Sequence, residues 1–495
     1  MKRTLARLAF LIAIPFATWG HIGASTVFYH GNAGPYAIDV IVRPPGVVPG
    51  RAEVTVRVES PDVGRVTVQP VRWDAGTKGA PAPDLAQPVR GDATLRSAEL
   101  WLMDFGSYSI HVAVEGTSGS GKAVVPVMSV ATRRLGIDRG LGVLFAGLGL
   151  LLFVGALTIL GAAAREAVLP PGEVPDAARR ARGRRVIAGS ALVLALVLAG
   201  GRAWWNSVDA RYRANMFRPL HITTGVRSVA SQRVLHLAID DPRWLAQEPG
   251  RNRFSPLVPD HGKLMHMFLV REPALDAFAH LHPLRLDPNT FDVRLPPLPA
   301  GRYVVYADVT HESGYAQTLT DRVDVPEAPS TAAPGAAPEP DPDDSFHVAA
   351  ALGGAASPAA PLADGIVMVW QQQEVVAGQP ASLTFQVRGS DGRPAALEPY
   401  MGMLGHMAVR RDDGSVFAHI HPAGSFSMAA RQVLERGADA TTKPVDHSEH
   451  AAVAGGTVSF PFEFPQDGRY RLWVQVKVGD RILTAAFDAD VAPKR

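Results

Sequence analysis

Sixteen histidines and no cysteine set the chemistry open to this chain. Without cysteine there is no disulfide scaffold, thiolate zinc site, iron–sulfur cluster or cysteine nucleophile. Thirteen of the histidines follow residue 205, and seven of them fall into two matching stretches. These are HGKLMHMFLVREPALDAFAHLHP (261–283) and MGMLGHMAVRRDDGSVFAHIHP (401–422). In each, a His stands 13 or 14 positions before the first His of a Phe-Ala-His-x-His-Pro motif. Three neutral imidazoles brought to one point suit zinc or copper. The candidate ligands are His266, His280 and His282 in the first copy and His406, His419 and His421 in the second. His261, with Met265, precedes the first set, and Met401 and Met403 precede the second. A thioether donor favours Cu(I) over zinc.

The elements that must position these residues follow from strand geometry. Asp413-Gly414 is a strong hairpin signal. With the turn there, Ala408 faces His419 and His406 faces His421, and side chains two apart share a face. The imidazoles then line one face, with Met407, Val409, Ala418 and Ile420 on the other. In the first copy the turn is one residue longer. The pairing that restores the same triangle sets His266 opposite His282 and Phe268 opposite His280, with Met267, Leu269, Ala279 and Leu281 behind. Phe278 and Phe417 lie on the His faces, where they dry a site or pack against a neighbouring domain. Pro283 and Pro422 end the strands. No carboxylate near either motif is expected to orient an imidazole, since Asp412 and Asp413 belong to the turn. His311 is an extra candidate, and His447 and His450 sit in a polar insertion. His30 and His111 are isolated, so the stretch before residue 132 has no triad.

Around these motifs runs an internal repeat. Gly106-x-Tyr108, Gly301-x-Tyr303 and Gly468-x-Tyr470 each open an alternating strand with a Val eight positions after the Gly. High Gly (47) and Pro (41) suit short strands and turns. The expected fold is mainly β: three immunoglobulin-like β-sandwiches at 25–132, 215–326 and 362–492. The Pro/Ala-rich stretch 327–361 is expected to be a solvated linker, and helix elsewhere scarce.

Two segments are apolar enough to leave water. Residues 140–164 carry no charge and suit a transmembrane helix at 138–164. A second span is expected at 186–206, flanked by Arg202 and closed by Trp204-Trp205. The loop between them, 165–185, is Arg-rich, which places it in the cytoplasm of a bacterial cell and the three sandwiches on the periplasmic side of the inner membrane. Lys2, Arg3 and Arg7 ahead of an apolar run make residues 1–24 a signal peptide or signal anchor.

Net charge is only +2, which argues against nucleic acid as a partner. The stretch GNAGPYAIDVIVRPPGVVPGRAEVTVRV with the later Gly-x-Tyr strand resembles the YtkA-like and FixH-like β-sandwich domains of bacterial membrane proteins. Gly405-His406 with FAHIHP resembles a module of bacterial exported proteins associated with copper handling. The resemblance implies an immunoglobulin-like fold and a heavy-metal role, carried by His406, His419, His421 and their counterparts His266, His280 and His282. The two copies depart from each other at His261 and Met401. The leading expectation is a non-enzymatic, membrane-tethered protein that sequesters or transfers copper, with zinc as the alternative ion and an exporter or oxidase assembly factor as partner. The alternatives are a scaffold whose triads are structural and a zinc hydrolase or lyase; a cupin-type oxygenase lacks its carboxylate ligand.

Overall fold

The computed structural model describes residues 21–22, 26–60, 63–170, 172–245, 254, 256–328, 337–353, 357–438 and 455–494. Most of the expected signal segment, and His447 and His450, lie outside these residues. The chain forms two compact units. One consists of Gly46–Val48 with Val130–Phe217, and the other of the remaining segments.

The first unit is a helical hairpin. Its helices run over Arg139–Glu166 and Ala177–Asn215, each long and apolar enough to cross a membrane. Asp138 caps the first by accepting from the amides of Gly140 and Leu141, and Asp176 caps the second through Arg179. The second helix begins inside the stretch read as a loop and runs past Trp205. Its opening Ala-Ala-Arg-Arg-Ala-Arg consists of strong helix formers, so the turn contracts to about 167–176. The helices touch at Gly161, where a Cβ would lie 2.6 Å from Ile187. Among the described residues, Leu144, Leu151, Leu196 and Val197 are exposed on the helices' outer faces.

The second unit is built from three successive pairs of sheets. The first pair has a five-stranded sheet running from Val27–Ala33 to Gln87–Val89 and a four-stranded sheet containing Gly106–Gly116. One core joins both sheets, including Val40, Val54, Ile110 and Val125. The middle pair has a four-stranded sheet around Gln232–Ile239 and a six-stranded sheet around Gly301–His311. The last pair has a four-stranded sheet around Pro380–Arg388 and a six-stranded sheet around Gly468–Val478, again enclosing one core.

The Gly-x-Tyr repeat has a structural reason. Tyr303 donates its hydroxyl to the Pro299 carbonyl at 2.7 Å, and Tyr470 does the same to Gln466 at 2.7 Å. Tyr108 accepts from the Asp104 amide at 3.1 Å. In each case the ring ties the start of a strand to the corner four residues upstream, and Gly106, Gly301 and Gly468 all take positive φ (124°, 145° and 118°) to open that corner.

Two features depart from the expected layout. Part of the Pro/Ala-rich stretch is strand: Ser345–Val348 pairs antiparallel with Ala277–Leu281, because an edge left open by the middle sheet offers it main-chain partners. After the second His motif, a helix at Met428–Ala438 follows a tight turn at Gly424, and Phe426 and Met428 join the core of the first pair of sheets.

Candidate functional site

Both His strands adopt the register that the turns dictate. Ala408 pairs with His419 and Met407 with Ile420; Phe268 pairs with His280 and Met267 with Leu281. Met407, Val409, Ala418 and Ile420 therefore enter the core of the last pair of sheets. The imidazoles take the opposite face, where His266, His280 and His282 gather, as do His406, His419 and His421; in each triad one ring nitrogen per residue lies within 4.8 Å of the others.

These His faces are not surfaces. The two six-stranded sheets lay them against each other. Phe278 stacks on Trp473 at 4.8 Å and 12°, and Phe417 stacks on Tyr306 at 3.8 Å and 4°. Trp473 and Tyr306 hold equivalent places, five residues after Gly468 and Gly301. Phe278 and Phe417 thus pack against the neighbouring sheet, with Phe268 and Ala408 between them. The triads are in ring contact across this seam, His266 with His419 and His280 with His419 both at 5.6 Å. Buried Arg410 closes one end, donating to the Tyr306 hydroxyl at 2.8 Å and pairing with Glu272.

Each imidazole is aimed by what holds its other nitrogen. His266 donates from Nε2 to the Asp260 carbonyl at 3.2 Å, and His406 from Nε2 to the Tyr400 carbonyl at 3.1 Å. Both then carry a lone pair on Nδ1. His280 turns Nδ1 to Gln475 Oε1 at 2.9 Å, and His419 turns Nδ1 to Asp308 Oδ2 at 3.2 Å, so both carry a lone pair on Nε2. These tautomers follow from the partners. His282 points Nδ1 to Asp344 Oδ1 at 3.0 Å, and its buried Nε2 has no hydrogen-bond partner. His421 is 4% exposed, and neither of its ring nitrogens has one.

The consequence is electrostatic. His266 Nδ1 lies 3.1 Å from His280 Nε2, and His406 Nδ1 lies 3.2 Å from His419 Nε2. In both pairs the partners leave lone pair facing lone pair, which repels unless a cation sits between them. A proton fills that role at a cost: burial first, and the neighbouring imidazoles second, hold His266, His280, His406 and His421 well below the usual imidazole range. A metal ion with bonds of 2.0–2.1 Å separates its nitrogen ligands by about 3.3 Å in a tetrahedron, close to both spacings.

The carboxylates are a correction to the sequence reading, which placed none near the motifs. Asp308 and Asp344 orient His419 and His282, the arrangement that fixes tautomer and raises basicity in metal-ligating histidines. Asp308 and Gln475 are equivalent, each seven residues after its turn glycine and paired with the first His of its sheet. That repeat position was the available signal. Asp341 and Asp344 come from the stretch read as linker, pinned where Lys263 meets Asp341 at 2.6 Å.

The remaining candidates divide. His261 lies among the rings of His266, His406 and His421. Met401 is half-buried in the turn before the second motif. Met403 is buried in the apolar core with Ala423, Phe426 and Met428, a packing role that suits an adaptable thioether. Met265 is buried. His311 belongs to a separate cluster with Trp244, Phe254 and Tyr315 and meets Gln317 at 2.8 Å. His30 pairs with Asp39 at the surface.

Residues 361–493 match the family model of a domain of unknown function, DUF8832. No curated protein matches the chain. Among solved structures, the chain is similar to a tetra-tandem repeat from the extending region of a large adhesion protein, at 9% identity and a TM-score of 0.15 over 90% of this chain and 71% of that one. It is also similar to Escherichia coli alpha-2-macroglobulin activated by porcine elastase, at 11% identity and a TM-score of 0.18 over 95% of this chain and 31% of that one. Likeness at this level bears on neither fold nor function.

Proposed function

We propose that this chain is a membrane-tethered metal-binding protein of the bacterial periplasm, with copper as its ion and zinc as the alternative. It sequesters the ion or passes it to an exporter or an oxidase assembly factor. In this reading the helical hairpin crosses the inner membrane, a signal or anchor segment leads the chain, and three immunoglobulin-like sandwiches stand outside. The tyrosine ties at the three strand starts support that fold assignment, since such corners recur in sandwiches of this type.

One observation carries the metal: in both triads two imidazole nitrogens face each other at 3.1 and 3.2 Å, and burial holds His266, His280 and His406 well below the usual imidazole range. The unpartnered nitrogens of His282 and His421 supply the third donor of each set. Leaving such atoms buried without a ligand costs about 1–3 kcal/mol each, which a metal bond removes. Five of the six triad imidazoles are buried, which favours holding an ion over turning over a substrate.

The test is elemental analysis of the full-length chain purified in detergent without chelator, followed by copper and zinc titration. Stoichiometric ion is expected, and His419→Ala with His421→Ala removes at least one equivalent. Ion-free protein, or unchanged binding in the double variant, sinks the proposal.

A second reading is a scaffold in which the triads only bind the two sheets together. The reciprocal bonds of His280 to Gln475 and His419 to Asp308 favour it. It requires that chelator leave the thermal stability unchanged.

A further inference from the structure

The turns ahead of the two His strands are built alike. Asp260 and Lys263 exchange main-chain bonds of 2.9 Å in both directions, and Tyr400 and Met403 do so at 2.7 and 3.1 Å. The second residue of each turn is left-handed without being glycine, His261 at φ 51° and Met401 at φ 49°, followed by Gly262 and Gly402 at φ 82° and 76°. A left-handed non-glycine residue costs about 1–2 kcal/mol. Positive φ at both central positions is the pattern of a type I′ turn, and it sets the side chains of His261 and Met401 at equivalent places.

His261 is placed away from its own strand's triad. Its ring centroid lies 6.3 Å from that of His266 but 5.4 Å from His421 and 5.8 Å from His406. Its Nδ1 is 3.7 Å from where a Cβ on Gly402 would stand, so the two turns abut. Two other sets of equivalent residues at this seam exchange partners: His280 with Gln475 and His419 with Asp308, Phe278 with Trp473 and Phe417 with Tyr306. By the same exchange, Met401 is the counterpart of His261 and belongs with the triad of His266, His280 and His282.

We propose that each triad is completed by the turn of the opposite sheet pair, so that the two centres differ in their fourth donor. One is a four-imidazole centre of His406, His419, His421 and His261. The other is a three-imidazole, one-thioether centre of His266, His280, His282 and Met401. The first suits Cu(II) or Zn(II), and the second is biased toward Cu(I). This rests on the metal-binding reading above and adds the division of labour between the sites.

The test uses the full-length chain in detergent, titrated with Zn(II) and, under anaerobic conditions, with Cu(I), each in competition with a chromophoric chelator. His261→Ala is expected to weaken Zn(II) binding at one of two sites by about tenfold or more, at least the loss seen on removing an outer-shell partner. Met401→Leu, a swap of nearly equal volume that keeps the fold, is expected to weaken Cu(I) binding at one site by a similar factor and leave Zn(II) unchanged. X-ray absorption of the Cu(I)-loaded protein should show a sulfur neighbour that Met401→Leu removes. Two bound ions with affinities indifferent to both substitutions, or a sulfur neighbour that persists in Met401→Leu, overturn the exchange and leave the metal reading standing. A wild-type chain that binds no ion overturns both.

Discussion

Acid should dismantle the metal-free seam, and the slope is calculable. His266, His280, His406 and His421 are at most 4% exposed, and burial holds each well below the imidazole value of 6.5. In the unfolded chain these side chains take up protons as pH falls through 6.5, while in the fold they do not. The unfolded state therefore binds more protons, and stability falls as pH drops below 6.5 until the depressed folded-state values are reached. Each neutral imidazole contributes about 1.4 kcal/mol per pH unit in that window, so four together contribute about 5 kcal/mol per unit. A proton retained between the facing nitrogens of His266 and His280 lowers the slope by about 1.4 kcal/mol per unit. Against a typical total of about 5–15 kcal/mol, about one to three units of acidification open the contact. The assay is denaturant unfolding of chelator-treated protein from pH 7.5 to 5.0, with hydrogen exchange followed over residues 261–283 and 401–422. Metal-loaded protein should resist to lower pH, because ion and proton compete for the same nitrogens. A chelated protein whose stability changes by less than about 1.4 kcal/mol per unit, fewer than one proton, would refute the reasoning.

Three further outcomes are expected. Glu272→Ala leaves the buried guanidinium of Arg410 without its carboxylate and should cost about 3–5 kcal/mol, whereas Arg410→Met with Glu272→Gln should be near neutral; urea midpoints separate the two. Gly424→Ala drives a Cβ to 1.9 Å from the Phe28 carbonyl at φ 143° and should cost about 2–4 kcal/mol, read as a lowered melting temperature. Asp344→Asn leaves His282 in place but weakens its orienting bond, and metal affinity by titration should fall about 10–100-fold.

The local half of the site was legible in the sequence. Asp413-Gly414 fixes a turn, the turn fixes which residues face each other, and the period of two puts three imidazoles on one face. What surrounds them depends on contacts no local rule reaches. Asp308 meets His419 across 111 positions, and Gln475 meets His280 across 195. Those distances close only when the two six-stranded sheets lay their His faces together, and that packing is decided by the aromatic stacks of Phe278 and Phe417. The Asp-rich segment near 341–344 has the composition of a solvated linker, and its capture depends on a free sheet edge and on Lys263. The second helix outran its expected start because Arg-rich sequence signals membrane sidedness and helix propensity at once.

The seam between the two His faces has the form of an isologous contact, the kind made when a protein meets its own copy. In a homodimer every change on one side is repeated on the other, so both halves must stay the same. Here the two halves are consecutive in one chain, and each position is free to diverge. Phe268 fills the middle of the seam while its counterpart is Ala408, so one bulky ring serves where two would collide. Asp308 and Gln475 hold equivalent places, giving one side a charge and the other a neutral amide. On the proposal above, covalent fusion lets a self-complementary surface serve two unlike ions side by side.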